Sequence, residues 1–263
     1  MEQLQYQLKA IRLSGMASVL PVRLQEARAN DLPHLDFLQL LLNDELDRRK
    51  ERLLARRLKA ARFPELKTLD DFDFSFNPSI NKRAVLDMAS CRFVHKTESI
   101  LLLGPPGVGK THLAVALGIC AIHAGYTVLY RSVFDLTEDM AEAAALSSRR
   151  QLILELSKPN LLIIDEFGMR NLPSNAAEDL LEIFHRRYHR GSTLIATNRP
   201  LEDWGKILGD HAATSAILDR FLENVHIVKI TGRSYRLKKT KPMTKTEKKT
   251  LTKNNKNDIV STP

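Results

Sequence analysis

The chain is poor in several things that announce a function. Of its 263 residues only Cys91 and Cys120 are cysteines, and neither stands in metal-ligand spacing. That excludes a disulfide framework and a zinc finger, and it fits a reducing compartment. Aromatics make up 6% of the residues, with no RNA-binding aromatic signature among them. Long apolar runs are missing too: nothing approaches the roughly 18 consecutive apolar residues of a membrane span. The opening residues MEQLQYQLKAIRL carry charge where an export leader would be apolar. The expectation is a cytoplasmic protein with no membrane partner.

A charge excess of one sign is also absent from most of the chain. The net charge is +9, but the stretch from Lys229 to Pro263 alone holds 11 Lys/Arg against Glu247 and Asp258. Subtracted from totals of 40 basic and 31 acidic residues, this leaves 29 of each elsewhere. A polyanion would therefore be met by local patches, of which the tail is one; a solvated, disordered tail is the alternative.

What is present falls into regions. Residues 1–66 are helical in pattern, with Leu4, Leu8 and Ile11 at helix spacing, a turn near Asn30 to Pro33, and an apolar run from Leu35 to Leu42. The run continues into Arg48 to Arg62, where Leu46, Leu53, Leu54 and Leu58 are expected on one face. Arg48, Arg52, Arg56 and Lys59 line another face of this basic amphipathic helix. Residues 67–78, rich in Asp and Phe, form a connector. Residues 79–237 change to short β-type runs at Ser99–Leu103, Thr127–Arg131, Leu161–Asp165, Ser192–Thr197 and Val225–Ile230, with helical stretches between them. That alternation predicts an α/β fold with a five-stranded parallel sheet covered by helices. Residues 238–263 are Lys/Thr/Asn-rich and too polar to fold.

The strongest local signal is GPPGVGKT: Gly104, Pro105, Pro106, Gly107, Val108, Gly109, Lys110 and Thr111, followed by His112. It fits the phosphate-loop pattern and stands between the apolar run SILLL and the helical HLAVALGICAI. Glycines let the backbone curl so that N–H groups face phosphate oxygens, and the next helix turns its positive end toward them. Lys110 would reach the β- and γ-phosphates of ATP, and the Thr111 hydroxyl would ligate Mg²⁺. A second signal is LLIIDEF, in which a buried strand delivers Asp165 and Glu166 at its carboxyl end. Asp165 suits the Mg²⁺ shell, and Glu166 suits the role of general base. Asn198 ends the strand STLIAT; it would lie between γ-phosphate and attacking water if that strand sits between the other two, and is otherwise a turn residue.

These blocks, with RRLKAARFP, LDDFDFSF, RRYHRGSTLIATNRPLEDW, AILDRF and GRSYRL, resemble the IstB-like AAA+ ATPases, helpers of insertion-sequence transposition related to the DnaC helicase loader and the DnaA initiator. The resemblance implies a P-loop AAA+ core, duplex-DNA binding, ATP-dependent homo-oligomerisation and a cognate transposase partner. It also implies roles for two arginines. Arg220 in AILDRF resembles an arginine finger acting on a neighbouring subunit, and Arg236 in GRSYRL resembles a sensor that contacts the γ-phosphate of its own subunit. The segment from Asp135 to Arg150 matches where initiator-type relatives carry a DNA-facing helix, with Arg149 and Arg150 as its basic end. Phe167 replaces the family's usual leucine, and the basic tail exceeds the family pattern. A DnaC-type helicase loader is the alternative function. A nucleotide-gated scaffold is a third class, disfavoured because it needs no base at Glu166.

Overall fold

The computed structural model describes residues 1–170, 172 and 176–238. Three helices come first: α1 (Glu2–Ala10), α2 (Ser14–Ala29) and α3 (His34–Ala61). α3 takes the apolar run and the basic stretch into a single helix that starts after Pro33 and stops at Arg62, whose φ of 58° is left-handed. Its first half packs on α2 around Met16, Leu20 and Leu41. Arg23 of α2 donates to both carboxylate oxygens of Asp44, at 2.8 and 2.9 Å. The buried Glu45 accepts from the amides of Gly15 and Met16, at 2.6 and 3.2 Å. The second half of α3 leans on the sheet through Leu54 and Leu58. Leu46 and Leu53, expected on that same face, are instead 51% and 37% exposed. A helix turns about 100° per residue, so Leu53 and Leu54 cannot point the same way.

The remaining elements alternate: α4 (Lys82–Ala89), α5 (Arg92–His95), β1 (Ser99–Leu103), α6 (Lys110–His123), β2 (Val128–Ser132), α7 (Val133–Ala145), α8 (Arg149–Ser157), β3 (Leu161–Phe167), α9 (Ala176–Arg187), β4 (Ser192–Thr197), α10 (Trp204–Leu208), α11 (His211–Leu222) and β5 (Val225–Lys229). The five strands are parallel in the order β2-β3-β4-β1-β5. Apolar clusters cover both faces. One is built on α6, with Leu113 and Leu117 against Ile100 and Ile163; the other joins Phe167, Trp204 and Phe221. Burial on both faces explains why β1, β3 and β4 read as nearly unbroken apolar runs. β3 runs two residues beyond the expected Asp165, because its pairing with β4 slips between Ile164 and Phe167 and then resumes at Phe167 and Thr197. Such a bulge bends a strand and re-aims a side chain.

At the amino edge of the sheet Arg187, 2% exposed, fastens the layers. Its guanidinium donates to the carbonyls of Leu156, Ser157 and Pro159, at 3.2, 3.2 and 2.8 Å, to Ser192 O, and to Thr193 Oγ1 at 3.1 Å. The buried cation is satisfied by five oxygens and no carboxylate, an arrangement that ties the end of α8 to the start of β4.

Candidate nucleotide-binding site

The loop after β1 curls over the amino end of α6. A Cβ on Gly104 would lie 2.1 Å from the Ile230 carbonyl, so only glycine lets the loop pass the end of β5. Gly109 has a φ of 102°, and it caps α6 without a side-chain acceptor. The first amides of α6 are left for an anion, reinforced by the helix dipole. Val108 anchors the loop in the core, while Pro105 and Pro106 are exposed at its crest. Lys110 is 9% exposed, and its Nζ donates to Gly104 O at 2.8 Å and Pro105 O at 2.9 Å. Burial pulls its pKa down; Asp165 works against that and Arg236 adds to the lowering. Thr111 follows on the first turn of α6.

β3 brings the two acids to the same edge. Asp165 is 1% exposed, with Oδ2 accepting from the Tyr130 hydroxyl at 2.8 Å and Oδ1 from the Glu166 amide at 2.8 Å. Glu166 stands in the bulge with a φ of 57°, a left-handed conformation that is uncommon for a residue with a side chain. Burial raises its pKa, Asp165 raises it further, and Arg236 opposes the rise. A carboxylate made more basic yet kept near cations is suited to accept a proton from water. Tyr130 is driven upward by burial and by Asp165, so it keeps its proton and remains a donor.

β4 lies between β3 and β1, the order on which the Asn198 expectation depended. The Asn198 Nδ2 is 3.0 Å from Met169 Sδ, and its buried Oδ1 has no partner among the described residues. Arg236 reaches the site because the chain after β5 folds back: the Tyr235 amide donates to Gly107 O at 2.8 Å. A cavity of about 510 Å³ lies there, lined by Gly107 to His112, by Arg236 and Tyr235, and by the connector residues Phe72 and Phe76.

The other expected residues sit apart from this cluster or are otherwise engaged. The His112 ring turns to the connector, with Nε2 donating to Thr68 O at 2.7 Å and an edge-on contact to Phe72. Arg220 is on the last turns of α11, where Nη1 donates to Ala216 O at 3.1 Å, and it lines a small cleft with Ser99 and Thr193 at the amino ends of β1 and β4. The phosphate loop leaves the other end of β1, five residues or roughly 16 Å away at strand rise, so Arg220 faces away from its own loop. Arg149 and Arg150 do not end the helix that begins near Asp135. α7 stops at Ala145 and the pair opens α8, where Arg149 binds Asp179 and lies 3.5 Å from Glu178. Arg48, Arg52, Arg56 and Lys59 are all exposed on α3, and the basic tail from residue 239 lies outside the described residues.

Sequence reasoning missed Tyr130, whose contact follows from β2 pairing Ser132 with Asp165 and has no motif of its own. It also missed the cavity wall made by Phe72, Phe76 and Tyr235; the alternating phenylalanines of LDDFDFSF were the available hint.

A five-stranded parallel sheet in this order, with a phosphate loop after β1 and paired acids at the carboxyl end of β3, defines a P-loop protein of the AAA+ fold. Solved structures agree. The DnaI crystal structure superposes with a TM-score of 0.54 at 19% identity, over 63% of this chain and 91% of that one. AMPPCP-bound DnaA from Aquifex aeolicus gives 0.53 at 22%, over 66% and 53%. The chain belongs to the IstB-like ATP-binding protein family, whose pattern it matches over residues 6–242. It is 37% identical over 238 residues, 90% of each chain, to a Pseudomonas aeruginosa protein named for ATP binding in insertion sequence IS21. It is 38% identical over 233 residues to an insertion-sequence counterpart from Mycobacterium tuberculosis, covering 88% of this chain and 93% of the other. Among the described residues no helix is long and apolar enough to cross a membrane.

Proposed function

We propose that the protein is a cytoplasmic, DNA-dependent ATPase that assembles with ATP on duplex DNA and delivers that DNA to the transposase of the same insertion sequence. The observation that carries this is the meeting of buried Lys110 and Asp165 with half-buried Glu166 at one sheet edge in a chain of the IstB-like family. The insertion-sequence names of its relatives support the transposase as partner. Residues 1–66 serve as the DNA and partner unit, 67–78 as the connector and 79–237 as the ATPase, with 238–263 a basic extension. Arg48, Arg52, Arg56 and Lys59 take DNA phosphates, with Arg150 as an outlying contact; Arg149 is left a weaker one by its acidic partners.

In this reading Lys110 and the amides opening α6 hold the β- and γ-phosphates. No cluster of three or more His, Cys, Asp or Glu is present among the described residues, so a cation would not have an all-protein cage. Asp165, whose two oxygens accept from the Tyr130 hydroxyl and the Glu166 amide and keep further lone pairs, and the Thr111 hydroxyl fit Mg²⁺, which favours one or two protein ligands beside phosphate and water. Bound there, Mg²⁺ supplies charge neutralisation across the phosphate oxygens. Glu166 takes the proton of the attacking water, Asn198 orients that water, and Arg236 contacts the γ-phosphate of its own subunit. Arg220, turned away from its own loop, serves the site of a neighbour.

The test is ATP hydrolysis with and without linear duplex DNA. Wild-type turnover should rise on adding duplex, and Lys110→Ala should abolish nucleotide binding or turnover together with assembly. Lys110→Ala activity within about twofold of wild type would remove the loop from the phosphate site. Turnover indifferent to duplex but responsive to a replicative helicase would favour the loader function.

A further inference from the structure

We propose that Tyr130 is a positioning residue that aims Asp165 at the cation, and that Phe63, just past the end of α3, sets where Tyr130 stands. This rests on the reading of Asp165 as the carboxylate that takes the Mg²⁺ shell. Tyr130 is buried on β2 within the apolar cluster built on α6, where a phenylalanine would pack as well. A buried hydroxyl costs stability unless it is paired, so its partner is informative. The Tyr130 hydroxyl donates to Asp165 Oδ2 at 2.8 Å, while the Glu166 amide donates to Oδ1 at 2.8 Å. With one such bond the carboxylate can still turn about its Cβ–Cγ bond. With one bond to each oxygen its plane is fixed, and so is the direction of the lone pairs left for a cation or its water.

Tyr130 is in turn seated by the end of α3. The helix stops at the left-handed Arg62, and the next residue, Phe63, packs into the same apolar cluster. Its ring meets the Tyr130 ring edge-on, with centroids 6.2 Å apart. The far side of the Phe63 ring lies on α6 at Gly118, where an added Cβ would come 2.8 Å from that ring and 2.8 Å from Ile163 Cδ1. Glycine is unfavourable inside a helix, and here it opens the slot that the ring fills. A polar tie runs beside the aromatic one. Arg62 lies 3.4 Å from Glu155, which accepts at 3.0 Å from Arg131, the neighbour of Tyr130 on β2. The helix that bears Arg48, Arg52, Arg56 and Lys59 therefore ends against the frame of the cation site. If that frame is continuous, Phe63 and Tyr130 act as one unit and the effects of losing them do not add.

The experiment is the Mn²⁺ affinity of the full chain with AMPPCP, read by electron paramagnetic resonance, beside AMPPCP affinity in EDTA. Tyr130→Phe removes one oxygen and keeps the ring. It should weaken Mn²⁺ by about 10- to 100-fold, the usual cost of losing a partner that orients a metal ligand. Affinity for AMPPCP in EDTA should stay, since Lys110 and the loop amides are untouched. In hydrolysis the half-saturating Mg²⁺ concentration should rise by more than turnover at saturating Mg²⁺ falls. Phe63→Leu should weaken Mn²⁺ by a smaller factor in the wild type and by nothing further in the Tyr130→Phe chain. Asp165→Asn separates the proposal from the reading beneath it. If Asp165→Asn leaves Mn²⁺ affinity at the wild-type value, Asp165 does not hold the cation, and both fall. If Asp165→Asn weakens Mn²⁺ while Tyr130→Phe does not, the reading stands and the positioning role is overturned. An equal loss of AMPPCP affinity in EDTA would also overturn it, by making the hydroxyl a support of the loop. Losses from Phe63→Leu and Tyr130→Phe that simply add would overturn the link to α3.

Discussion

At the carboxyl edge of the sheet Lys110 is 9% exposed and Asp165 1%, whereas on α3 Arg48, Arg52, Arg56 and Lys59 all stand in solvent. The first group is fixed by named partners: two loop carbonyls hold the ammonium, and a tyrosine and an amide hold the carboxylate. Burial makes each of these charges strong and its loss costly. In the second group Arg52 donates to the Arg48 carbonyl at 3.3 Å and lies 3.9 Å from Glu45, but the four charges stay exposed, and each is screened within about 10 Å at ordinary salt. One region acts through single residues, and the other can act only through their number.

That contrast can be broken in graded steps. The largest effect is expected from Arg220→Ala, because an arginine finger is worth about 10³–10⁵ in rate; single-turnover hydrolysis should fall by that order while ATP affinity stays. Glu166→Gln comes next. ATP should bind and hydrolysis slow by roughly 10²–10⁴, with the nucleotide-bound assembly accumulating. The same variant has a stability signature. The folded pKa of Glu166 is raised above its ordinary 4.5, so its favourable contribution is present below 4.5 and lost as pH rises through the higher value. Glu166→Gln should therefore raise the melting temperature at pH 8, by an amount that shrinks toward pH 4. An equal or lower melting temperature at pH 8 would mean that the carboxylate is not destabilised there. The smallest effect per residue is on α3. Replacing Arg48, Arg52, Arg56 and Lys59 together by Gln should flatten the slope of log K against log salt for duplex binding by about two to four units. An unchanged slope in the folded variant would make the row a solvated face.

The two regions also differ in how far the sequence discloses them. GPPGVGKT and LLIIDEF are contiguous, and the backbone dictates what they do. Four strands were legible to within one residue at each end, β1 and β4 most closely, since a doubly buried strand is an apolar run with clear limits. The bulge at Glu166 was not legible, because a slip in register is a property of two strands and leaves no mark on one. Tyr130 was hidden for the same reason: its partner is 35 residues away and is set by the pairing of β2 with β3. On α3 the helix and its basic row could be read, but which leucines are buried depends on where α2 and the sheet dock. Leu46 and Leu53 were consequently expected on the wrong side. Arg149 shows the limit of reading charge as a binding surface, since its guanidinium is taken up by Asp179 and Glu178 of α9.

The central claim is that the carboxyl edge of the sheet is a nucleotide site completed by a neighbouring subunit, because Arg220 faces away from its own loop. Mixing inactive Lys110→Ala with inactive Arg220→Ala protein tests it most directly. Interfaces that pair an intact loop from one copy with an intact arginine from the other should recover ATP hydrolysis, rising with the fraction of mixed assemblies. Mixed assemblies that form and stay inactive would contradict the account.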